Sequence, residues 1–228
     1  METSLHRQLK ALYAGDGDAT QEERLGEFRI DVVRDDVLIE IQHGSLAAIR
    51  RKVETLLRKH RVLVVKPLVI RKTLVTCNAK DGPEIARRLS PKRGSVLSLF
   101  DELVYFCHVF PHRRLTLETP LVEIEEWRYP GHGRRRRWGR KDFQVADQKL
   151  VQLHGVERYH TAQDLLRLLP ATLPSPFHSG HIAEQLGIQR WIAQRVTYCL
   201  RNMKALKIVG KVGNAQLYEV ARGKKRAA

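Results

Sequence analysis

Hydrophobic and polar positions alternate most clearly over residues 28–42, which have the sequence FRIDVVRDDVLIEIQ. Two runs rich in β-branched residues flank the segment 34–36, and this pattern predicts two strands joined by a tight hairpin turn. Asp31 lies near the start of the first strand. Side chains alternate between the two faces of a strand, so Glu40 and Gln42 share one face of the second strand. The pattern therefore predicts two carboxylates and an amide near one end of a hairpin.

The rest of the first half of the chain alternates between helical and strand patterns. Apolar residues at helical spacing predict helices over residues 2–14, 45–59 and about 95–108. Strands are predicted over residues 21–25, 61–70, 73–77 and 113–127. Because the run at 61–70 is almost continuously apolar, we expect it to be a central strand covered on both faces. This order of elements predicts a three-layer α/β domain with a mixed β-sheet.

The second half of the chain begins with a basic Gly/Arg segment over 128–141, which we interpret as a boundary. Residues 143–170 are predicted to be helical. From Ser179 onward, two helices joined by a glycine turn precede a hairpin, which is the plan of a winged helix-turn-helix. We therefore predict a domain over 1–127, a basic linker over 128–142, and a helical connector with a winged-helix domain over 143–228.

The second helix of the predicted winged helix has an apolar and a polar face. The residues predicted to pack inward are Ile192, Val196, Cys199, Leu200 and Met203. The residues predicted to contact base edges and phosphates in a major groove are Gln189, Arg190, Gln194, Arg195, Arg201 and Asn202. Winged helices also mediate protein contacts, so dimerisation is the alternative interpretation of this unit.

The charge of the chain narrows the class of partner. The 228 residues carry a formal net charge of +16, with a pI near 10.2, and 43% of them are hydrophobic. Such an excess of positive charge predicts a polyanionic partner, most often nucleic acid. The basic residues that we expect to contact phosphates outside the recognition helix are Arg50, Arg134, Arg135, Arg136, Arg137 and Lys211. The alternative is a ribosome-associated or merely basic protein.

Two further features of the sequence bear on localisation. No apolar run approaches the roughly 20 residues that a membrane-spanning helix needs, and no signal-peptide pattern is present at the N-terminus. Cys77, Cys107 and Cys199 lie far apart and form no CxxC pair, so neither a zinc site nor a disulfide framework is indicated. We therefore expect a soluble, cytoplasmic, nucleoid-associated protein with no membrane partner.

The N-terminal segment, roughly residues 1–108, resembles the PD-(D/E)xK superfamily of restriction-endonuclease-like nucleases, which includes Holliday-junction resolvases. That family places an acid in the first helix, an Asp in the second strand and an ExK triplet in the third strand. Asp31 matches the Asp, and the triplet from Glu40 to Gln42 matches the motif in its ExQ form. Glu2 matches the acid of the first helix.

The resemblance implies a metal-dependent endodeoxyribonuclease that hydrolyses double-stranded or branched DNA. Mg²⁺, with Mn²⁺ as a substitute, would be held by Asp31, Glu40 and the backbone carbonyl of Ile41, with Glu2 as a further ligand. Because double-strand cleavage needs two active sites, a homodimer is expected. The alternatives are a non-catalytic DNA-binding regulator on a nuclease-derived scaffold, an RNA-processing nuclease, or a surface hairpin with solvated acids.

The departure from the family motif lies at Gln42, where the family has a lysine that orients the attacking water and stabilises developing charge. Gln42 can orient a water molecule by hydrogen bonding, but it carries no positive charge. Either Gln42 suffices, or a cation from the next helix substitutes, or the site binds metal or DNA without cutting. Lys52 and Arg50 border the apolar stripe of that helix and are the candidates for the substituting cation.

Overall fold

The computed structural model describes residues 2–131 and 142–221, and it has a mixed α/β architecture. The helices are α1 (Ser4–Ala14), α2 (Arg50–Leu56), α3 (Leu99–Leu103), α4 (Ala162–Leu166), α5 (Ser179–Leu186) and α6 (Arg190–Asn202), with short 3-10 turns at Leu46–Ile49 and Val96–Ser98. The strands are β1 (Thr20–Leu25), β2 (Phe28–Arg34), β3 (Val37–Ile41), β4 (Arg61–Val65), β5 (Leu68–Cys77), β6 (Glu84–Leu89), β7 (Leu115–Pro130), β8 (Phe143–Tyr159), β9 (Leu206–Val212) and β10 (Ala215–Val220).

Strands β1 to β8 form one large sheet, which is mixed as predicted, although β6 and β8 were not predicted as strands. The order of its strands is β1-β2-β3-β4-β7-β5-β6, and β8 pairs with β7. Strands β1, β2 and β3 are antiparallel neighbours, whereas β5 runs parallel to β7 from the pair Leu68–Leu121 to the pair Thr76–Arg128. Strands β9 and β10 form a separate antiparallel pair.

The chain divides into two compact units, each made of three separate stretches. Unit 1 contains Met1–His43, Val65–Ser95 and Glu118–Glu157, and unit 2 contains Gly44–Val64, Val96–Leu117 and Arg158–Ala228. The predicted domains were continuous in sequence, and their boundaries stay predictions. Among the described residues, no helix is long and apolar enough to cross a membrane.

The hairpin predicted over residues 28–42 is confirmed. Strands β2 and β3 pair through Arg34–Val37, Val33–Leu38 and Val32–Ile39. Asp35 and Asp36 form the two-residue loop, with φ angles of 49° and 60°. Positive φ at both central residues is the type I′ geometry that matches the twist of a two-stranded ribbon, and Asp tolerates it better than most residues.

The central apolar run is divided where the prediction had one strand over 61–70. Strand β4 ends at Val65 and β5 begins at Leu68, with Lys66 and Pro67 between them. Proline has no amide hydrogen to donate to a ladder, so it marks the interruption. The amide of Lys66 still donates to the Glu118 carbonyl at 2.8 Å, which keeps the interrupted segment alongside β7.

The prediction of a helix over 143–170 is wrong for its first seventeen residues, which form β8. Val145, Val151 and Val156 are β-branched, and Gly155 disfavours a helix interior. Strand β7 is sixteen residues long and offers a partner ladder, so pairing outweighs the weak helical periodicity. Helix α4 begins only after Thr161, whose side chain forms a capping box with Asp164.

The elements predicted for the C-terminal region are confirmed. Helix α5 ends at Gly187, which takes the left-handed conformation (φ 61°), and α6 follows. Strands β9 and β10 meet at a turn containing Gly213, whose φ is 56°. Phe177, just before α5, forms an isolated antiparallel bridge with Tyr218 of β10. Four of the five residues predicted to face inward from α6 are buried, and Ile192 is half-buried.

Candidate active site

The register of the hairpin brings the two predicted carboxylates together. Continuing the ladder one position beyond Val32–Ile39 places Asp31 opposite Glu40. Residues directly opposite in an antiparallel pair point to the same face, with Cβ atoms about 5 Å apart. Glu40 is only 4% exposed, and the Asp31 side chain is 21% exposed. Two adjacent acids therefore lie on one face of the sheet, largely shielded from solvent.

The hydrogen-bond pattern of the hairpin changes at the pair Asp31 and Glu40. Instead of a backbone carbonyl, the Oδ2 atom of Asp31 accepts the amide of Ile41, at 2.8 Å. A carboxylate that accepts a backbone amide is held in one orientation by a charge-assisted hydrogen bond. Asp31 is therefore positioned by β3, the strand that also carries Glu40.

Helix α1 adds further charged and titratable groups next to Asp31. The Nε2 atom of His6 lies 3.3 Å from Oδ1 of Asp31 and 3.7 Å from Oε1 of Glu2. The Nζ atom of Lys10, which is almost fully buried, lies 2.5 Å from the same Glu2 oxygen. The hydrogen bond from Lys10 lowers the pKa of Glu2, so Glu2 is a carboxylate at neutral pH. His6 thus lies between Glu2 and Asp31, and the predicted role of Glu2 as a metal ligand stays a prediction.

Strand β1 carries an acid with a strained backbone conformation, Glu22, opposite Asp31. Glu22 lies between the pairs Gln21–Val32 and Glu23–Ile30, so it faces Asp31 across the ladder. Its φ of 59° is in the left-handed region, which costs a non-glycine residue on the order of 1 kcal/mol. The Glu22 carboxylate pairs with Lys10 and Arg29. Backbone strain of this kind is concentrated at functional sites. The strain at Glu22 is therefore a second unusual feature near Asp31, in addition to the shielded pair of acids.

The C-terminal ends of β3 and β4 meet beside Glu40. The amide of Gln42 donates to the carbonyl of Val65 at 2.9 Å. The next residue, Lys66, is 5% exposed, and its Nζ donates to the carbonyl of His43, also at 2.9 Å. We call Asp31, Glu40, Gln42, His43 and Lys66 the hairpin-end site.

Positive charge concentrates around His43. Burial, followed by the charges of Lys66 and Lys72, lowers the pKa of His43, so its imidazole is neutral at pH 7. Lys72 donates to Glu126 at 2.6 Å, and the same carboxylate accepts from Gln148 and Arg128. Burial raises the pKa of Glu126, but these three hydrogen bonds outweigh it, and the net pKa is lowered.

The donor set of the hairpin-end site suits a hard divalent cation. Mg²⁺ is usually held by one or two carboxylates and keeps several waters, and the opposed pair Asp31 and Glu40 supplies that number. Within residues 2–131 and 142–221, no group of three or more His, Cys, Asp or Glu side chains is arranged to hold a metal ion. Asp31 and Glu40 could supply two carboxylate ligands, and water would fill the remaining positions around a cation held there.

Other residues predicted to act at the site belong to unit 2 or lie outside the described part of the chain. Arg50 and Lys52 belong to α2 in unit 2, where Arg50 is exposed and Lys52 is half-buried, and their part in catalysis stays a prediction. The predicted phosphate contacts Arg134, Arg135, Arg136 and Arg137 lie outside the described residues.

A second polar region lies on α6 in unit 2. Its exposed residues, which we call the α6 surface, are Gln189, Arg190, Trp191, Gln194, Arg195 and Tyr198. Arg195 lies 4.6 Å above the Trp191 ring and pairs with Asp101 of α3 at 2.5 Å. Arg201 and Asn202 are half-buried at the C-terminal end of the helix, and Lys211 is exposed on β9.

The sequence interpretation missed His6, Lys10, His43 and Lys66 at the site, and Trp191 and Tyr198 on α6. Lys66 did leave a signal, because a lysine interrupts an otherwise apolar run, and a charge inside a buried strand needs a partner. His6 and Lys10 lie on the same helical stripe as Glu2, four residues apart, which could have placed them beside it. The sequence gives no comparable signal for His43, whose position depends on cross-strand register.

Comparison with known proteins places the chain in a family but not in a functional class. The family model described as "Domain of unknown function (DUF8091)" matches residues 3–160, so the chain belongs to that family. The chain is also similar to an uncharacterized protein of Treponema pallidum (strain Nichols). The two are 28% identical over 183 residues, which cover 80% of this chain and 72% of the relative. No solved structure matches the chain.

Proposed function

We propose that the protein is a metal-dependent endodeoxyribonuclease with a restriction-endonuclease-like core and a C-terminal winged helix that docks DNA. The observation that carries this proposal is the opposition of Asp31 and Glu40 on neighbouring strands, with both side chains mostly buried. Isolated acids at strand ends would be solvated. Two carboxylates on adjacent strands repel each other, and a divalent cation bound between them offsets that repulsion.

The order of elements supports the resemblance to PD-(D/E)xK nucleases. Helix α1 is followed by β1, β2, β3, α2 and β4 along the chain. Asp31 lies in the second strand and Glu40 in the third, as the resemblance implies, whereas Glu2 lies just before the first helix and not within it. The amide of Gln42 bonds to Val65, so the third and fourth strands meet at their C-terminal ends, as parallel strands joined by a helix do.

Mg²⁺ held by Asp31 and Glu40 would neutralise phosphate charge and lower the pKa of an attacking water. The chain's own residues orient the parts of the reaction. The Ile41 backbone amide fixes Asp31. The side-chain amide of Gln42, two residues after Glu40, would orient the attacking water by a hydrogen bond. His6 contacts Asp31 from the helix side and restricts the positions that the carboxylate can take.

The winged-helix part of the proposal rests on unit 2. Helix α4, the Phe177 bridge strand, α5, α6 and the β9–β10 hairpin follow one another in the order of a winged helix. The α6 surface presents arginine, glutamine and aromatic side chains to solvent, and these residue types contact phosphates and base edges in a major groove. With a net charge of +16, the chain is electrostatically suited to such a partner.

The proposal is tested by incubating the full-length protein with labelled duplex, four-way-junction and single-stranded DNA, in Mg²⁺, in Mn²⁺ and in EDTA. We expect divalent-metal-dependent cleavage of duplex or branched DNA that Asp31→Asn and Glu40→Gln each remove. The matched control is Asp35→Asn, because Asp35 belongs to the same hairpin, is 90% exposed and keeps an Asn-compatible turn. Wild-type protein that binds these DNAs and leaves all of them intact would instead be a DNA-binding regulator. Selective cleavage of RNA would make it an RNA-processing nuclease.

A further inference from the structure

A lysine from another part of the chain can supply the positive charge that is missing at position 42 only if its ammonium group is held near Gln42. Gln42 is the residue that follows the last residue of β3. The hydrogen bond from the Gln42 amide to the Val65 carbonyl sets the C-terminal ends of β3 and β4 side by side. Lys66 is the residue after Val65, and its Nζ donates to the carbonyl of His43, the residue after Gln42. The ammonium group of Lys66 is therefore fixed one strand away, at the same end of the sheet as the ExQ triplet.

The backbone around Lys66 is unusually well defined for a lysine. Its amide donates to the Glu118 carbonyl, and Pro67 follows, which restricts Lys66 to extended backbone. The residue is 5% exposed. Taking an ammonium group out of water costs several kcal/mol before it is compensated. A lysine at this place is thus preorganised, which is the property that charge stabilisation in a transition state requires.

The ammonium groups of two other lysines of the N-terminal region are held by different elements. The Lys10 ammonium bridges Glu2 and Glu22 on the α1 side. Lys72 donates to Glu126 of β7. The Lys66 ammonium donates to the His43 carbonyl, two residues beyond the end of β3, the strand that carries Glu40.

We propose that Lys66 is the catalytic cation of the hairpin-end site, delivered from the end of β4 in place of a lysine at position 42. This inference rests on the proposed function. In the reaction, a water oxygen forms a bond to phosphorus and releases one proton to solvent, one bridging P–O bond breaks, and the departing oxygen takes up a proton from solvent and leaves as a hydroxyl group. The Lys66 ammonium hydrogen-bonds a non-bridging phosphate oxygen, whose negative charge increases as the water attacks.

This inference is tested by moving the lysine from position 66 to position 42. In the full-length protein, Lys66→Gln should lower the single-turnover cleavage rate about 100-fold, the usual loss for one charge-stabilising donor. The double variant Gln42→Lys/Lys66→Gln should recover at least tenfold of that loss, because the lysine then lies where the family pattern has it. The matched control is Arg71→Gln, which removes the same charge from a half-exposed residue paired with Glu123 and should cleave like the wild type.

Two readouts besides cleavage separate catalysis from structure. The melting temperature shows whether each variant is folded at the assay temperature, and titration with Mn²⁺ shows whether Asp31 and Glu40 still bind metal. Lys66→Gln protein that is folded and binds Mn²⁺ but cleaves slowly supports the inference. The same protein cleaving at the wild-type rate overturns it, and so does a folded double variant that recovers no activity. If the wild type itself cleaves nothing, the proposed function fails, and Lys66 is a structural lysine.

Discussion

The hairpin-end site and the α6 surface both collect charged and polar side chains, but they do so at opposite degrees of burial. Glu40 and Lys66 are each at most 5% exposed, whereas Arg195 and its partner Asp101 keep 45% and 42% of their side-chain surface. Burying a charge costs several kcal/mol unless it is compensated, and an exposed ion pair contributes about 0–1 kcal/mol. The difference shows that a buried charge needs a specific reason in the fold or the chemistry, while an exposed basic surface indicates only the class of partner.

The largest effect on activity is expected from substitution of Glu40, one of the most deeply buried charged residues in this comparison. Glu40→Gln keeps the size of the side chain but removes the charge that would hold the metal. We expect cleavage to fall at least 10³-fold, which corresponds to about 4 kcal/mol of transition-state stabilisation. The dissociation constant for duplex DNA, measured in EDTA, should change less than about twofold, since docking is assigned to the α6 surface. A parallel loss of binding and cleavage would mean that the two regions do not have separate functions.

The second largest effect is expected from substitution of Glu126, and it concerns stability and not activity. Its side chain is 5% exposed, and hydrogen bonds from Lys72, Gln148 and Arg128 outweigh the cost of burial and lower its pKa. Glu126→Gln should reduce the free energy of unfolding by about 3 kcal/mol at pH 7, the usual cost of breaking a buried ion pair. Chemical denaturation measures this loss.

The pH dependence of that loss has a definite sign. A carboxyl group whose folded-state pKa lies below its ordinary value of 4.5 stabilises the fold fully above that value, and the contribution disappears as the pH falls through the folded-state pKa. The stability difference between wild type and Glu126→Gln should therefore be constant near neutral pH and shrink below about pH 4.5. Glu157→Gln, on the exposed part of β8, is the control and should leave the free energy of unfolding at pH 7 nearly unchanged. A difference that grows in acid would contradict the assignment.

The α6 surface should respond more weakly, because several exposed side chains share the contact. Arg190→Ala should weaken binding to duplex DNA about tenfold and reduce the slope of log affinity against log salt by about 1, as the loss of one phosphate contact does. Arg190→Lys is the matched control, since lysine keeps a phosphate contact but not a bidentate contact to a base. Equal losses for alanine and lysine would assign Arg190 to base recognition, and no loss for either would remove α6 from the interface.

The sequence predicted features that depend on neighbouring residues and missed those that depend on pairing at a distance. The hairpin from Phe28 to Ile41 was predictable because alternation and an Asp-Asp turn are local signals. The helix–glycine–helix–hairpin order of the C-terminal region was predictable for the same reason. Strand β8 was mistaken for a helix, because its identity comes from β7, which lies before the basic segment in the chain.

The candidate site follows the same rule. Asp31, Glu40 and Gln42 could be named from the sequence, since all three belong to one hairpin. The cation that would replace the family lysine was predicted on the next helix, at Lys52 or Arg50, and that assignment stays a prediction. The lysine that we propose instead, Lys66, is separated from Gln42 by 24 positions in the sequence, and the hydrogen bond between Gln42 and Val65 brings the two strand ends together. A charged residue within an apolar run is the sequence signal that points to Lys66.

The smallest effect is expected at Asp101, which pairs with Arg195 in unit 2. An exposed ion pair of this kind contributes little to stability, so Asp101→Asn should leave the melting temperature almost unchanged. It should also free the Arg195 guanidinium and remove one negative charge near the α6 surface, which raises affinity for duplex DNA about two- to threefold at low salt. In Asp101→Asn/Arg195→Ala the gain should disappear, because the released group is then absent. If the double variant keeps the full gain, the effect comes from net charge alone, and Arg195 does not contact DNA.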